Sequence, residues 1–240
     1  MSNNSYVTAA FKSTHKNQVY LFMYPEYVLD DYAPGTATDT ILYGPAYMRD
    51  VFSSLKDTVF SRGIDSAFES QDPGDAYIFI GVHCAKWFYA PDSTNDKILK
   101  GPMYVSDMFP FLKGTEFENG VFAAFNSTIP YEAYLFSWGN QYARINYSDN
   151  GHLITLGTIT QGFPCLKGTI FEKGIDACFA SHIPNQVYLF KHDSYALIQY
   201  TPGTTSNQTL INSGKIIDKW PQFGSLLPRD NANHLKLVTN

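Results

Sequence analysis

The sequence predicts an all-β fold, a four-bladed β-propeller with short helices between the blades and a central channel. Two markers recur along its 240 residues. The first is a pair of mostly small residues closed by a phenylalanine: Phe11, Phe68, Phe125 and Phe179. The second is an apolar strand that ends in another phenylalanine: Phe22, Phe79, Phe136 and Phe190. Both sets step by 57, 57 and 54 residues, and a period of this size built from short strands is typical of propellers.

The two markers are the first two strands of each unit. The second strand is apolar on consecutive residues, which predicts that both of its faces are buried. A third strand rich in aromatic residues follows at 27–32, 84–89, 142–147 and 195–200. A short fourth strand is predicted around Ile41, Ile98, Ile154 and Leu210.

A short helix is predicted near the end of each unit. Gly44-Pro45 and Gly101-Pro102 are expected just before the first two helices, because proline suits the first turn of a helix. These helices are predicted to cover 47–52 and 105–109, and the fourth unit ends similarly at 216–221.

The four units predict a single domain, because one blade cannot bury both of its faces alone. This propeller is expected to span residues 1–223, with residues 224–240 as a polar C-terminal tail. The blades are expected at about 6–62, 63–119, 120–173 and 174–223.

Composition excludes several classes of protein. The net charge of −5 argues against a nucleic-acid binder, and no run of 18 apolar residues could span a membrane. Residues 1–5 lack the features of a signal peptide. Three cysteines, Cys84, Cys165 and Cys178, make a poor disulfide framework, so we expect a reduced, cytosolic protein.

Several stretches resemble known families. Gly-Ile-Asp-Ser-Ala-Phe at 63–68 and Gly-Ile-Asp-Ala-Cys-Phe at 174–179 resemble hemopexin-type repeats. Tyr-Ala-Pro-Gly at 32–35, Leu-Tyr-Gly-Pro at 42–45 and Asp-Met-Phe-Pro-Phe at 107–111 are similar to the legume seed albumin-2 family. The likeness covers almost the whole chain and implies the hemopexin-like four-bladed propeller.

The resemblance also implies function. It implies a cytosolic protein of seed cells that binds spermine or another polyamine and heme, holds calcium in its channel and forms a homodimer. A relative agglutinates red cells. Hemopexin repeats usually carry Asp before the small pair of the first strand, and here only Asp65 and Asp176 do so, while Thr8 and Phe122 take its place.

A ring of oxygen ligands is predicted inside the channel. The innermost strand of each blade has a free edge toward the axis, and its backbone groups need partners. Four equivalent carbonyls suit a hard cation such as Ca²⁺ or Na⁺, with an anion as a further expectation. The predicted ligands are the backbone carbonyls of Thr8, Asp65, Phe122 and Asp176. A second ring, two residues further on, consists of Ala10, Ala67, Ala124 and Cys178.

Motifs for catalysis are missing from the sequence, so we expect a protein that is not an enzyme. It has no Gly-x-Ser-x-Gly elbow, no His-Glu-x-x-His helix and no Gly-x-Gly loop. Residues that bind heme or polyamine stay unassigned, although two clusters are candidates for polyamine binding. One is Asp30-Asp31 beside Tyr27 and Tyr32, and the other runs from Glu69 through Asp75 and includes Asp72.

Three functions remain open at this point. The first is a binding module for spermine or heme, and the second is a seed storage protein acting as a nutrient reservoir. The third is a carbohydrate-binding hemagglutinin, a lectin for which Trp138 is a candidate aromatic platform.

Overall fold

A computed structural model describes residues 4–91 and 93–230 of the chain. Four antiparallel sheets of four strands follow one another along the chain, and in each sheet the strands are ordered as in the sequence. The first blade contains β2 (Ala9–Lys12), β3 (Gln18–Met23), β4 (Glu26–Asp31) and β5 (Thr40–Tyr47). The second contains β6 (Ser66–Glu69), β7 (Asp75–Ile80), β8 (His83–Phe88) and β9 (Lys97–Tyr104).

The other two blades repeat this order. The third contains β10 (Ala123–Asn126), β11 (Glu132–Phe136), β12 (Gln141–Asn146) and β13 (His152–Thr158). The fourth contains β14 (Ala177–Ala180), β15 (Gln186–Lys191), β16 (Ser194–Gln199) and β17 (Thr209–Lys215). The inner strands contact one another in the cyclic order β2, β6, β10, β14 and back to β2. The four sheets therefore close into a ring, and the predicted four-bladed propeller is confirmed.

Each hydrophobic core lies between two neighbouring blades, including one between the fourth and the first. The second strand shows why. In β3, Val19 and Leu21 face the core shared with the fourth blade, whereas Tyr20 and Phe22 face the core shared with the second. Both faces of the strand are therefore buried, as the continuous apolar run predicts.

Short helices connect the blades. The α-helices are α1 (Met48–Val51), α2 (Val105–Met108), α3 (Ile159–Gly162) and α4 (Ile216–Lys219). The 3₁₀ helices are Ser53–Leu55, Val59–Arg62, Pro110–Leu112, Glu116–Asn119, Pro164–Leu166, Ile170–Lys173 and Pro221–Ser225. No helix in the part of the chain that the structure describes is long and apolar enough to cross a membrane.

The Gly-Pro pairs precede the first two helices as predicted, but their prolines do not lie at a helix entry. Gly44-Pro45 and Gly101-Pro102 lie inside the outer strands β5 and β9, before the helices begin. Proline is tolerated there because an outer strand has one edge that needs no ladder hydrogen bond. The outer strands are consequently longer than the short fourth strands that the sequence predicts.

The packed structure continues past the predicted boundary at residue 223. Leu226 and Leu227 pack against the core between the fourth and first blades. Strand β18 (Arg229–Asp230) pairs with β1 (Asn4–Ser5), so the two ends of the described part of the chain meet. Residues 231–240 of the predicted tail lie outside the described residues.

A repeated hydrogen bond joins neighbouring blades. A tyrosine that follows the third strand accepts an N–H from the first loop of the preceding blade. The N–H of Thr14 donates to the Tyr89 hydroxyl at 3.0 Å, and that of His182 donates to Tyr32 at 2.7 Å. Tyr147 and Tyr200 hold the same position at the other two seams, beside Gln71 and Thr128. We call these four tyrosine contacts between blades the tyrosine clasps.

Candidate functional site

The four predicted ion-ligand positions meet at one end of the channel, which we call the upper mouth. Thr8, Asp65, Phe122 and Asp176 line a single cavity of about 520 Å³ there. Since each comes from a different blade, the ring closure alone brings them together. Sequence reasoning missed the other polar and aromatic side chains of this cavity, which are Tyr6, Trp138, Lys173, Lys191 and His192.

Three of the four side chains cap the hairpin between the second and third strands of their own blade. Asp65 Oδ2 accepts the N–H of Gly81, and Asp176 Oδ2 accepts that of His192, both at 2.7 Å. Thr8 Oγ1 accepts the N–H of Tyr24 at 3.4 Å. These side chains are therefore engaged in the fold, and burial raises the pKa of the Asp65 carboxyl.

The third blade replaces this cap with an aromatic contact. Phe122 lies edge-on to Trp138, with 5.1 Å between ring centroids. The Trp138 side chain is 81% exposed at the rim of the cavity. An indole this exposed is available to a ligand.

The backbone of the ring is partly committed. The N–H groups of Thr8 and Asp65 donate to the carbonyls of Phe22 and Phe79 at 2.8 Å. Phe122 and Asp176 make the equivalent bonds at 2.9 Å. Any ligand on this ring must therefore use the carbonyl oxygens or the remaining carboxylate oxygens.

The second predicted ring lies deeper and is buried. Its residues are Ala10, Ala67, Ala124 and Cys178. Ladder alternation orients their backbone. The N–H of Ser13 donates to the carbonyl of Gln18 across the first hairpin. Counting back along β2, every second residue therefore makes backbone hydrogen bonds to β3. Ala10 falls between these residues, so its N–H and C=O point away from β3. Ser70, Ser127 and Ser181 make the equivalent backbone hydrogen bonds in the other blades. The N–H and C=O groups of Ala67, Ala124 and Cys178 therefore also point away from the second strands of their blades.

At the other end of the channel, which we call the lower mouth, a third ring follows the second. Its residues are Lys12, Glu69, Asn126 and Ala180. Glu69 is only 8% exposed, and neither of its carboxylate oxygens has a hydrogen-bond partner. Lys12 Nζ lies 3.3 Å from Oε1, within ion-pair range but without hydrogen-bond geometry. Burial raises the pKa of Glu69, and the Lys12 charge opposes that rise.

Glu69 lies close to one tyrosine of each blade. Burial raises the pKa of the phenols of Tyr32, Tyr89, Tyr147 and Tyr200, and the charge of Glu69 adds to each rise. Asn126, in the same ring, accepts the Tyr147 hydroxyl at 2.9 Å. The lower mouth therefore surrounds one desolvated carboxylate with aromatic rings and hydroxyl groups.

A ring of serines follows Glu69, and it was missed from the sequence. Every unit carries Phe-x-Ser, which gives Ser13, Ser70, Ser127 and Ser181. Each hydroxyl accepts the N–H two residues further on. The fourfold recurrence of this tripeptide is the signal that would have found the ring.

The other candidate polar groups are placed as follows. Lys86 Nζ contacts Asp72 at 2.6 Å and Asp75 at 3.0 Å, so both of these carboxylates already have a cationic partner. Asp30 is fully buried at the seam with the fourth blade.

His182 and His192 differ in the contacts that their imidazole rings make. Both ring nitrogens of His182 are engaged, by the Tyr32 hydroxyl at 2.9 Å and by the Ser13 carbonyl at 3.1 Å. His192 lies at the upper mouth, 3.6 Å from Asp176 Oδ2. His234 lies outside the described residues.

Side chains alone offer no preformed metal centre. Within residues 4–91 and 93–230, no three His, Cys, Asp or Glu side chains are grouped so that they could hold a metal ion. The backbone-carbonyl site that the sequence predicts stays a prediction.

Comparisons with known proteins agree with this fold. No family model matches the chain. Albumin-2 of Pisum sativum is 48% identical over 233 residues, which cover 96% of this chain and all of the relative. A plant lectin with two metal binding sites from Cicer arietinum has a solved structure that is 48% identical, with a TM-score of 0.89 over 93% of this chain and 99% of that one.

A further solved structure names the fold. The hemopexin fold protein CP4 from cow pea is 43% identical, with a TM-score of 0.89 over 94% of this chain and the whole of that one. From its fourfold architecture and from these similarities, the chain belongs to the albumin-2 family of legume seed proteins, which have the hemopexin fold.

Proposed function

We propose that this albumin is a binding module that takes up a polyamine such as spermine at the lower mouth, without covalent chemistry. The observation that carries the proposal is the Glu69 carboxylate, which is buried in the channel with no hydrogen-bond partner. A buried charged group without hydrogen bonds is costly, so a ligand that supplies donors is stabilised there.

A polyamine fits the chemistry of this mouth. Its ammonium groups carry several N–H donors for Glu69, and its methylene segments suit a narrow apolar channel. Tyrosine rings around the carboxylate add cation–π attraction. Lys12 is the competing cation, and its side chain reaches Glu69 from a partly exposed position from which a ligand could displace it.

Isothermal titration calorimetry with spermine tests this proposal. Glu69→Gln keeps the size of the side chain but removes its charge, so we expect spermine affinity to fall at least tenfold. Asp57→Asn, which removes an exposed carboxylate far from any described contact, is the control and should bind normally. Equal affinity of the Glu69→Gln variant and the unmodified protein would contradict the proposal.

A hard cation, Ca²⁺ or Na⁺ with an accompanying anion, is proposed for the upper mouth. The support is the ring of Thr8, Asp65, Phe122 and Asp176 around one cavity, together with the two metal binding sites of the Cicer arietinum relative. Backbone carbonyls are the proposed ligands, since three of the side chains cap hairpins.

Calcium titration of chelator-treated protein distinguishes backbone from side-chain ligands. If carbonyls bind the ion, Asp65→Asn should keep calcium affinity within a few fold, because the amide oxygen can still accept the Gly81 N–H. A loss of affinity of tenfold or more would show that the carboxylate itself is a ligand and would overturn this part of the proposal.

Heme is proposed as a second ligand of the upper mouth. Trp138 offers an exposed ring face, Lys173 and Lys191 offer charges for carboxylates, and His192 offers an imidazole. A Soret shift on hemin titration that is lost in His192→Gln would support axial ligation at this residue.

A carbohydrate-binding agglutinin is the second candidate function. The exposed Trp138 at a cavity rim favours it, as does the description of one relative as a plant lectin. Agglutination requires at least two sites per particle, which a homodimer would supply.

The free thiols Cys84, Cys165 and Cys178 support a reducing compartment, and we propose the cytosol of seed cells.

A further inference from the structure

We infer that a polar cavity between the second and third blades, which we call the seam cavity, is a saccharide-binding site. Its volume is about 480 Å³, within the range of small-molecule sites. Tyr77 and Lys86 line it from the second blade, and Tyr131, Asp149 and Asn150 line it from the third. The ligand class, a saccharide, rests on the agglutinin candidate of the proposed function, but the sugar would bind here and not at Trp138.

The seam cavity lies where the repeat is shortened. The third and fourth strands are joined by residues 147–151 in the third blade, against 32–39, 89–96 and 200–208 elsewhere. This difference accounts for the 54-residue step in the sequence. At the seam between the third and fourth blades, the longer turn contributes Gly203 and Thr204 to the wall of a smaller cavity of about 340 Å³.

The shortening also frees a hydroxyl group. At the next seam, the turn supplies the N–H of Gly203 to the Tyr134 hydroxyl at 3.2 Å. Gly35 lies at the equivalent place beside Tyr188. Tyr77 holds the same strand position, but no described residue hydrogen-bonds to its hydroxyl, which is therefore available in the cavity.

A second departure from fourfold symmetry occurs in the same cavity. Tyr131 has φ +61°, in the left-handed region that favours glycine and asparagine. The equivalent residues are Asn17, Gly74 and Asn185, all of which suit this conformation. Tyr131 is nevertheless 44% exposed, and its only described ring contact is with Tyr147 at 5.9 Å. Strained residues of this kind concentrate at functional sites.

The polar groups of the seam cavity suit the hydroxyl groups of a sugar. Lys86 Nζ is held in place between Asp72 at 2.6 Å and Asp75 at 3.0 Å, so its ammonium group has a fixed position at the wall of the cavity. A sugar hydroxyl both donates and accepts. The Lys86 ammonium and the Asn150 amide can donate to it, and the Asp149 carboxylate can accept from it. The exposed Tyr131 ring can cover the apolar face of a sugar ring.

The test is a glycan array on the full-length chain, followed by titration with free galactose, mannose, N-acetylglucosamine and lactose. Tyr131→Asn puts the residue of the first and fourth blades at this position, so it should fold at least as well as the unmodified protein. We expect it to lose saccharide affinity at least tenfold, as should Asp149→Ala. Asn17→Gly changes the equivalent position of the first blade and should bind sugar normally.

Trp138→Ala separates this inference from the agglutinin candidate. Sugar binding that survives Trp138→Ala but not Tyr131→Asn supports the seam cavity. Binding that is lost only in Trp138→Ala overturns the inference and leaves the agglutinin candidate intact. If no glycan binds the unmodified chain, the saccharide site in the seam cavity and the agglutinin candidate are both contradicted. Spermine binding that is lost in Tyr131→Asn, without any sugar binding, assigns the seam cavity to polyamines and also overturns the inference.

Discussion

Single residues that break the fourfold repeat mark the polar features of this propeller. Asp30 is the clearest example. At its position on the third strand the other blades carry Trp87, Ile145 and Ile198. Asp30 is fully buried, and neither of its carboxylate oxygens has a hydrogen-bond partner. The sequence pair Asp30-Asp31 is typical of solvated loop charge, and the burial of Asp30 depends on packing against the last blade, which no local pattern reveals.

The stability of the protein should depend on pH through Asp30. Burial raises its pKa from 3.8 to about 8; the charge of Asp39 adds to the rise, and that of Lys219 opposes it. The unfolded chain releases this proton near pH 4 and the folded chain near pH 8. The contribution of Asp30 to the free energy of unfolding is therefore fully present below pH 4. It is lost as the pH rises from 4 to 8, by roughly 1 kcal/mol per pH unit.

Asp30→Asn tests this dependence, because an amide of the same size does not titrate. In denaturant melts between pH 5 and pH 8, the stability advantage of the variant over the unmodified protein should grow with pH. The exposed Asp50→Asn change should leave the pH profile as it is. A constant difference between Asp30→Asn and the unmodified protein across this range would show that Asp30 is ionised in the fold.

At the scale of elements, the strands and helices were largely predictable, because each carries a marker at constant spacing. The Gly-Pro pairs were misassigned because proline suits both a helix start and an outer strand. The capping role of Asp65 and Asp176 was also missed. Sequence alone placed them in a ring but gave no reason to connect them with hairpin turns sixteen residues later.

The tyrosine clasps are the elements that join neighbouring blades near the lower mouth. Tyr89→Phe keeps the ring contacts but leaves the Thr14 N–H without its acceptor. Loss of a buried hydrogen bond of this kind costs about 1–3 kcal/mol, which lowers the melting temperature by several degrees in a protein of this size. Scanning calorimetry measures the change. Tyr104→Phe, at an exposed position, should melt like the unmodified protein, and an equal effect of both changes would contradict a role for the clasp.

At the scale of the whole molecule, closure of the ring creates the channel and its two mouths. The architecture followed from the repeat, since four equivalent strands with free inner edges must surround an axis. The contrast between the two mouths of the channel did not follow from the repeat. The upper mouth gathers Thr8, Asp65, Phe122 and Asp176, whereas the lower mouth is defined by one carboxylate, Glu69, whose equivalents are Lys12, Asn126 and Ala180. Repeats predict where residues meet, and the substitutions between repeats decide what the meeting point binds.

We propose that the channel binds a cation at the upper mouth and a polyamine at the lower mouth. A crystal structure of the protein grown with calcium and spermine tests it most directly. We predict an anomalous calcium peak coordinated by the carbonyl oxygens of Thr8, Asp65, Phe122 and Asp176. We also predict continuous spermine density with an ammonium group on the Glu69 carboxylate. Spermine bound outside the channel, with Glu69 contacting only Lys12 and water, would contradict the claim.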